Sequence, residues 1–148
     1  MKCVIAVVAL MLGAPATVRA ACSVTATPIG FGNYLPFSAA PDDSSGSVAV
    51  HCTQLVGSYA VALNAGLFGG GNFSHRQMSS GADKLGYQLY TTAARTTVWG
   101  DGTGGTATVS GNCFHACNTS YTIHGRIPAR QVARPGTYAD VILATVSF

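Results

Sequence analysis

The residues from 87 to 105 constrain the fold of this chain more than any others. They open with Tyr87-Gln88-Leu89-Tyr90, in which Tyr87 and Leu89 alternate with Gln88 and Tyr90. A period of two sets the first pair on one face of a half-buried strand. Small residues follow, then Val98-Trp99, then Gly100-Asp101-Gly102-Thr103-Gly104-Gly105. Glycine and aspartate tolerate positive φ, so this last stretch predicts a tight hairpin loop. The tract is a strand, a turn, a second short strand and a loop, and it holds no catalytic constellation.

The same period recurs along the chain, and helical periodicity is absent. Val24 and Ala26 share one face of a strand over 23–27, whereas Pro28, Gly30, Gly32 and Pro36 predict a loop carrying Phe31, Tyr34 and Phe37. Pro41-Asp42-Asp43-Ser44-Ser45-Gly46 reads as a turn before the strand of Val48, Val50 and Cys52. Tyr59, Val61 and Leu63 form the next inward set, and residues 66–84 read as loop-rich. A short stretch over 106–111, then Tyr121, Ile123 and Ile127, and finally Tyr138, Ile142, Ala144, Val146 and Phe148 complete the pattern. About seven short strands with turn signals between them predict an all-β sandwich in one domain.

The first twenty residues stand apart. Lys2 is a short basic start, Val4 to Leu12 is apolar and uncharged, and Val18-Arg19-Ala20 fits a signal peptidase site. Residues 1–20 are therefore expected to be a signal peptide cut after Ala20, leaving a domain over 21–148 and a secreted product. The apolar run is too short for a spanning helix, which needs ~20 such residues. Arg19 stands where a lipid-attachment signal would have an apolar residue, which argues against lipid on Cys22.

Removal of Cys3 with the signal leaves Cys22, Cys52, Cys113 and Cys117, an even set in an oxidising compartment. Three pairings are possible. The preferred one joins Cys22 to Cys52 and Cys113 to Cys117, with loops worth ~3–4 and ~2 kcal/mol on the chain-entropy account. The irregular intervals among Cys113, His115, Cys117 and His124 disfavour zinc, and three residues between the last two cysteines disfavour a redox pair.

Eight basic residues against five acidic ones are scattered, without the grouped charge of a nucleic-acid surface. His51, His75, His115 and His124 lie beside polar partners or in loops and are expected to be solvated. Trp99 reads as packing, and Asp101 has too few neighbouring acids for a calcium shell. No Ser, His and acid set occurs at catalytic spacing, so neither an enzyme nor a cofactor is expected. Asn72-Phe73-Ser74 and Asn118-Thr119-Ser120 fit the glycosylation pattern, which matters only in a glycosylating host.

Several segments together carry a family likeness. They are Cys22-Ser23-Val24, Phe31-Gly32-Asn33-Tyr34, Val48-Ala49-Val50-His51-Cys52, Arg76-Gln77-Met78 and the 87–105 tract. Tyr121, Gly125-Arg126-Ile127-Pro128-Ala129, Gly136-Thr137-Tyr138-Ala139-Asp140 and Thr145-Val146-Ser147-Phe148 continue the match. On these residues the chain resembles the spore coat protein U domain, a family that includes the subunits of archaic (Csu-type) chaperone–usher pili. The segment between Cys113 and Cys117 looks like an addition to the family pattern.

The resemblance implies an immunoglobulin-like β-sandwich lacking its last strand. It implies a periplasmic chaperone, an outer-membrane usher and other pilin subunits as partners, with no nucleic acid or small-molecule substrate. The product would be a structural, adhesive fibre subunit at the cell surface. Tyr138, Ile142, Ala144, Val146 and Phe148 would border the groove that receives a partner strand. A stand-alone coat or matrix protein with a self-complete sheet is the alternative. One departure follows from the expected cleavage: only Ala21 would precede Cys22, so the subunit could accept a strand yet not donate one, as suits a tip or terminal position. Amino-terminal sequencing of the secreted protein is expected to begin at Ala21, and a start well upstream would restore a donor segment.

Overall fold

Alternation in sequence becomes alternation in burial. Val48, Val50 and Cys52 are fully buried, as are Val61, Ile123, Ile142 and Val146, while their strand neighbours face outward or lie half-buried. The computed structural model describes residues 2–11 and 22–148, which form two packed sheets of an immunoglobulin-like β-sandwich. The cleavage site expected around Val18, Arg19 and Ala20 lies outside the described residues.

Eleven strands are described: β1 (Lys2–Met11), β2 (Cys22–Thr27), β3 (Ile29–Asn33), β4 (Asp42–Cys52), β5 (Gly57–Leu63), β6 (Gln77–Ser80), β7 (Asp83–Gly86), β8 (Gln88–Tyr90), β9 (Val109–Cys113), β10 (Cys117–Ile127) and β11 (Thr137–Ser147). A 3₁₀ turn, Phe73–His75, is capped by the Asn72 side chain. One sheet runs β3-β1-β11-β5-β9, with β6 and β7 attached beside β11, and the other runs β2-β4-β10-β8. The core lies between them, with Trp99 fully buried and its Nε1 donating to the Val61 carbonyl at 3.0 Å. Trp99 is therefore packing, as its position beside a turn suggests.

Four local expectations need correction. The loop over 28–37 contains β3, because Ile29 and Phe31 turn inward while Gly30 and Gly32 face out. The expected turn at 41–46 belongs to β4, since Asp42 to Gly46 continue the ladder to β10 from Ile127 to Ile123. Asp43 also accepts two bonds from Arg126, Nε to Oδ1 at 2.7 Å and Nη2 to Oδ2 at 2.8 Å, so the charge expected in a turn instead clamps a strand. Within 66–84, β6 and β7 form a hairpin turning at Gly81, whose φ is 62°. In the opening tract, β8 is a strand, but Val98 and Trp99 make only isolated bridges to Tyr90 and Ala107. The Trp99–Ala107 bridge is parallel, so the glycine-rich segment is a loop that doubles back without forming a hairpin ladder.

Two glycines set how closely the sheets approach. A Cβ on Gly46 would lie 2.6 Å from Ile29 Cγ1 and 2.8 Å from the Thr27 carbonyl, and one on Gly125 would lie 2.7 Å from the Phe31 ring. The four-stranded sheet thus lacks side chains where β3 sends its own down. Overpacking of this kind costs about 1–3 kcal/mol. Gly46→Ala is expected to lower the urea midpoint by that amount of stability, whereas Gly30→Ala, whose Cβ meets nothing within 4 Å, should leave it nearly in place.

Candidate partner-strand site

The two edges of β11 are satisfied in different ways. One is shared: β5 pairs with it from Ala144 to Ser147, and β6 touches it at Ala139. The other edge is taken along its length by β1, parallel and without a register shift, from Lys2 opposite Thr137 to Met11 opposite Val146. On its far side β1 pairs antiparallel with β3, from Lys2 opposite Asn33 to Ile5 opposite Ile29, with a shift between Cys3 and Val4. One strand from the start of the chain therefore fills a slot between β3 and β11.

The faces of β1 differ in what they do. Cys3 and Ile5 are buried in the core and Val7 packs partly against it, while Val4 and Val8 are 43% and 50% exposed. Full burial of an aliphatic side chain of this size is worth about 1.5–3 kcal/mol, so the inward face alone holds the strand substantially. Cys3 is a free thiol, and burial raises its pKa.

Of the residues expected to border a partner strand, Tyr138, Ile142, Ala144 and Val146 all lie on the inward face of β11 and are fully buried. Phe148 lies one residue beyond the end of β11 and is 57% exposed. The Tyr138 hydroxyl donates to the Arg134 carbonyl at 3.0 Å, which anchors the segment leading into the strand.

Asp140, to which the sequence assigns no role of its own, shares this inward face and is 1% exposed. Its Oδ2 accepts from the Tyr87 hydroxyl at 2.5 Å, and its Oδ1 accepts from the backbone N–H of Leu67 at 2.9 Å and of Val141 at 2.8 Å. Arg76, equally buried, donates to the carbonyls of Asn64 and Trp99 at 2.7 Å each and to Gln88 Oε1 at 2.7 Å. Burial, reinforced by the bond to Asp140, pushes the Tyr87 hydroxyl pKa well up. Burial also pulls Arg76 down to about 10, against the opposing pull of Tyr87 and Asp140, so it remains charged at neutral pH. The signal for this network was the acid interrupting an apolar alternation at 138, 140 and 142. It ties β11 to the 64–67 loop and to Tyr87, the first residue of the opening tract.

The disulfides join Cys22 to Cys52 and Cys113 to Cys117. The first links adjacent strands of one sheet. The second does more than stiffen a loop, because Cys113 ends β9 in one sheet and Cys117 begins β10 in the other. Among the described residues the one group of candidate metal ligands is Cys52, Cys113 and Cys117, all bonded in disulfides, and neither His115 nor His124 joins it. His51, His75 and His115 are exposed and His124 is half-buried.

The model of the Spore Coat Protein U domain matches residues 8–145. The chain is 30% identical, over an alignment of 154 positions, to "Protein U" of Myxococcus xanthus, with 93% of this chain and 83% of that protein covered. Its fold is similar to one in the crystal structure of a chaperone–tip adhesion subunit pre-assembly complex from archaic chaperone–usher Csu pili of Acinetobacter baumannii. That match has a TM-score of 0.52 and 21% identity, and covers 86% of this chain but 40% of the other. A match to the minor tip subunit of the E. coli Hda pilus has a TM-score of 0.45 and 12% identity, covering 83% of this chain and 78% of that one.

Truncating Asp140 would leave the Tyr87 hydroxyl and the Leu67 N–H without their acceptor, at about 1–3 kcal/mol for each orphaned donor. Asp140→Ala is therefore expected to lower the urea midpoint sharply. A double-mutant cycle with Tyr87→Phe should give a coupling of at least about 0.5 kcal/mol, and additivity would show that the two do not act together.

Proposed function

Because the chain belongs to the Spore Coat Protein U domain family, we propose that it is a structural, adhesive subunit of a secreted surface fibre, assembled by an archaic chaperone–usher pathway and completed by a strand from another chain. The observation that carries this reading is the slot between β3 and β11, which accepts an extended segment with apolar residues at alternate positions. Residues 1–20 serve as the signal peptide, and their removal after Ala20 takes β1 away. The domain over 21–148 then presents an unpaired edge of β11 above an apolar groove, an arrangement that recruits a strand from another chain.

In this reading a periplasmic chaperone fills the slot first, and the amino-terminal segment of another subunit replaces it at the outer-membrane usher. Tyr138, Ile142, Ala144 and Val146 form the floor along β11, and Phe148 marks the end where its chain stops pairing. The function is strand pairing at the cell surface, in adhesion and biofilm formation, and it requires no catalytic group or cofactor. With one residue ahead of Cys22, the subunit accepts a strand without offering one, which places it at a fibre end.

A second reading has its own support. If residues 2–11 stay on the secreted protein, β1 closes the sheet from within, and the chain is a stand-alone coat or matrix protein.

The amino-terminal residue of the secreted protein separates the two, since retention of residues 2–11 belongs to the second reading alone, and oxidised protein spanning 22–148 tests whether the slot accepts a strand. The 22–148 protein is expected to self-associate or melt at low temperature, and a synthetic peptide of residues 2–11 should yield a monomeric complex with a raised Tm. The same peptide carrying Ile5→Asp should fail, because it would place a charge at a fully buried position. A 22–148 monomer that unfolds reversibly and ignores the peptide would remove the strand-accepting reading.

A further inference from the structure

Three of the cysteines stand in one row across the four-stranded sheet. Cys52 of β4 is the register partner of Cys22 in β2 on one side and of Cys117 in β10 on the other. Cys113 reaches the same place from β9 in the opposite sheet. The Sγ atoms of Cys52, Cys113 and Cys117 all lie within 4.8 Å of one another, although Cys52 is bonded to Cys22 and the other two to each other. Two independent staples need no such proximity.

We propose that the four cysteines form a single thiol–disulfide exchange system in which Cys52 is the shared acceptor, so that opening Cys113–Cys117 transfers the break to Cys22. The triggering reagent is a thiolate, from a small thiol or a thiol oxidoreductase. It attacks Cys117, which is half-buried where Cys22, Cys52 and Cys113 are buried. A bond forms between the incoming sulfur and Cys117 Sγ, the Cys113–Cys117 bond breaks, and its electron pair leaves on Cys113.

The released Cys113 thiolate faces the carbonyl oxygens of His115 at 2.7 Å and Gln54 at 3.8 Å, which disfavour negative charge there. It attacks Cys52 Sγ. The Cys52–Cys113 bond forms, the Cys22–Cys52 bond breaks, and Cys22 leaves as a thiolate that takes a proton from water. One thiolate enters and one leaves, with two disulfides before and two after, so no oxidant or reductant is consumed.

Cys22 then has no route back to Cys117. The two flank β4 on opposite sides, two strand spacings or roughly 9–10 Å apart, beyond the ~7 Å that a disulfide spans between Cα atoms. The exchange exchanges a staple within one sheet for one between sheets and leaves Cys22, at the start of β2, as a free thiol open to modification. This inference does not rest on the strand-accepting reading.

The test uses the full chain with Cys3→Ser, which removes the other thiol. Oxidised protein is exposed to graded reduced glutathione under native conditions, quenched in acid, alkylated, and digested with chymotrypsin, which can cut between the cysteines of each pair. The expected result is alkylated Cys22 together with a Cys52–Cys113 cross-link. Joint labelling of Cys113 and Cys117 while the Cys22–Cys52 cross-link persists would overturn the proposal. In a further Cys117→Ser variant, Cys113 keeps its thiol without any reagent. Label on Cys22 in most molecules supports the relay, and label on Cys113 with Cys22–Cys52 intact refutes it. If that variant does not fold, the glutathione series decides alone.

Discussion

A strand needs hydrogen-bonding partners on both edges when it lies inside a sheet, and β11 is such a strand. It carries much of the core through Tyr138, Ile142, Ala144 and Val146, and it anchors the buried carboxylate of Asp140. One of its edges is served by β5 and β6, which pair with it antiparallel. The other is served by a segment from the opposite end of the chain, running parallel. Parallel neighbours cannot be joined by a tight turn, so no local connection obliges this pairing to form. The stability of the seven-stranded sheet therefore hangs on a partner that the topology does not itself guarantee.

The buried polar network shows how the region beside that edge accommodates two buried charges. Arg76 and Asp140 do not form a direct ion pair. Each is satisfied separately, Arg76 mainly by carbonyl oxygens and Asp140 by a phenol and backbone N–H groups. Buried charges are tolerated when every lone pair and proton finds a partner, and they become costly when one is lost. Tyr87 is thus held by more than its apolar face: its ring packs in the core and its hydroxyl fixes Asp140 of β11. The alternation of Tyr87 and Leu89 revealed the packing half of that role and concealed the polar half.

Period-two patterns of clean composition were legible. Val48-Val50-Cys52, Tyr59-Val61-Leu63 and the inward face of β11 lie where alternation puts them. Segments whose strand character comes from long-range ladders were not. Asp42 to Gly46 has turn chemistry, and only its register with β10 and the Arg126 clamp hold it extended. Ile29 and Phe31 alternate with glycines, so β3 looked like a loop until the opposing sheet supplied matching sockets. Segment 3–11 is apolar on both faces, a pattern that fits a secretion signal and a buried strand equally, and periodicity cannot separate them. Asp140 was visible as an exception to a pattern, without an indication of what it would bind.

The glycines beneath β3 have a further mechanical meaning. Within its own sheet β3 pairs only with β1, among the described residues. Yet Ile29 and Phe31 sit over Gly46 and Gly125, and the Ser44 hydroxyl donates to the Gly30 carbonyl at 2.7 Å. These contacts run to the other sheet and owe nothing to β1. A domain deprived of β1 would keep β3 moored from below, so that β3 and β11 stand apart like the rails of a track whose middle has been lifted out. The opening would hold its width instead of collapsing, ready for a strand of the same girth.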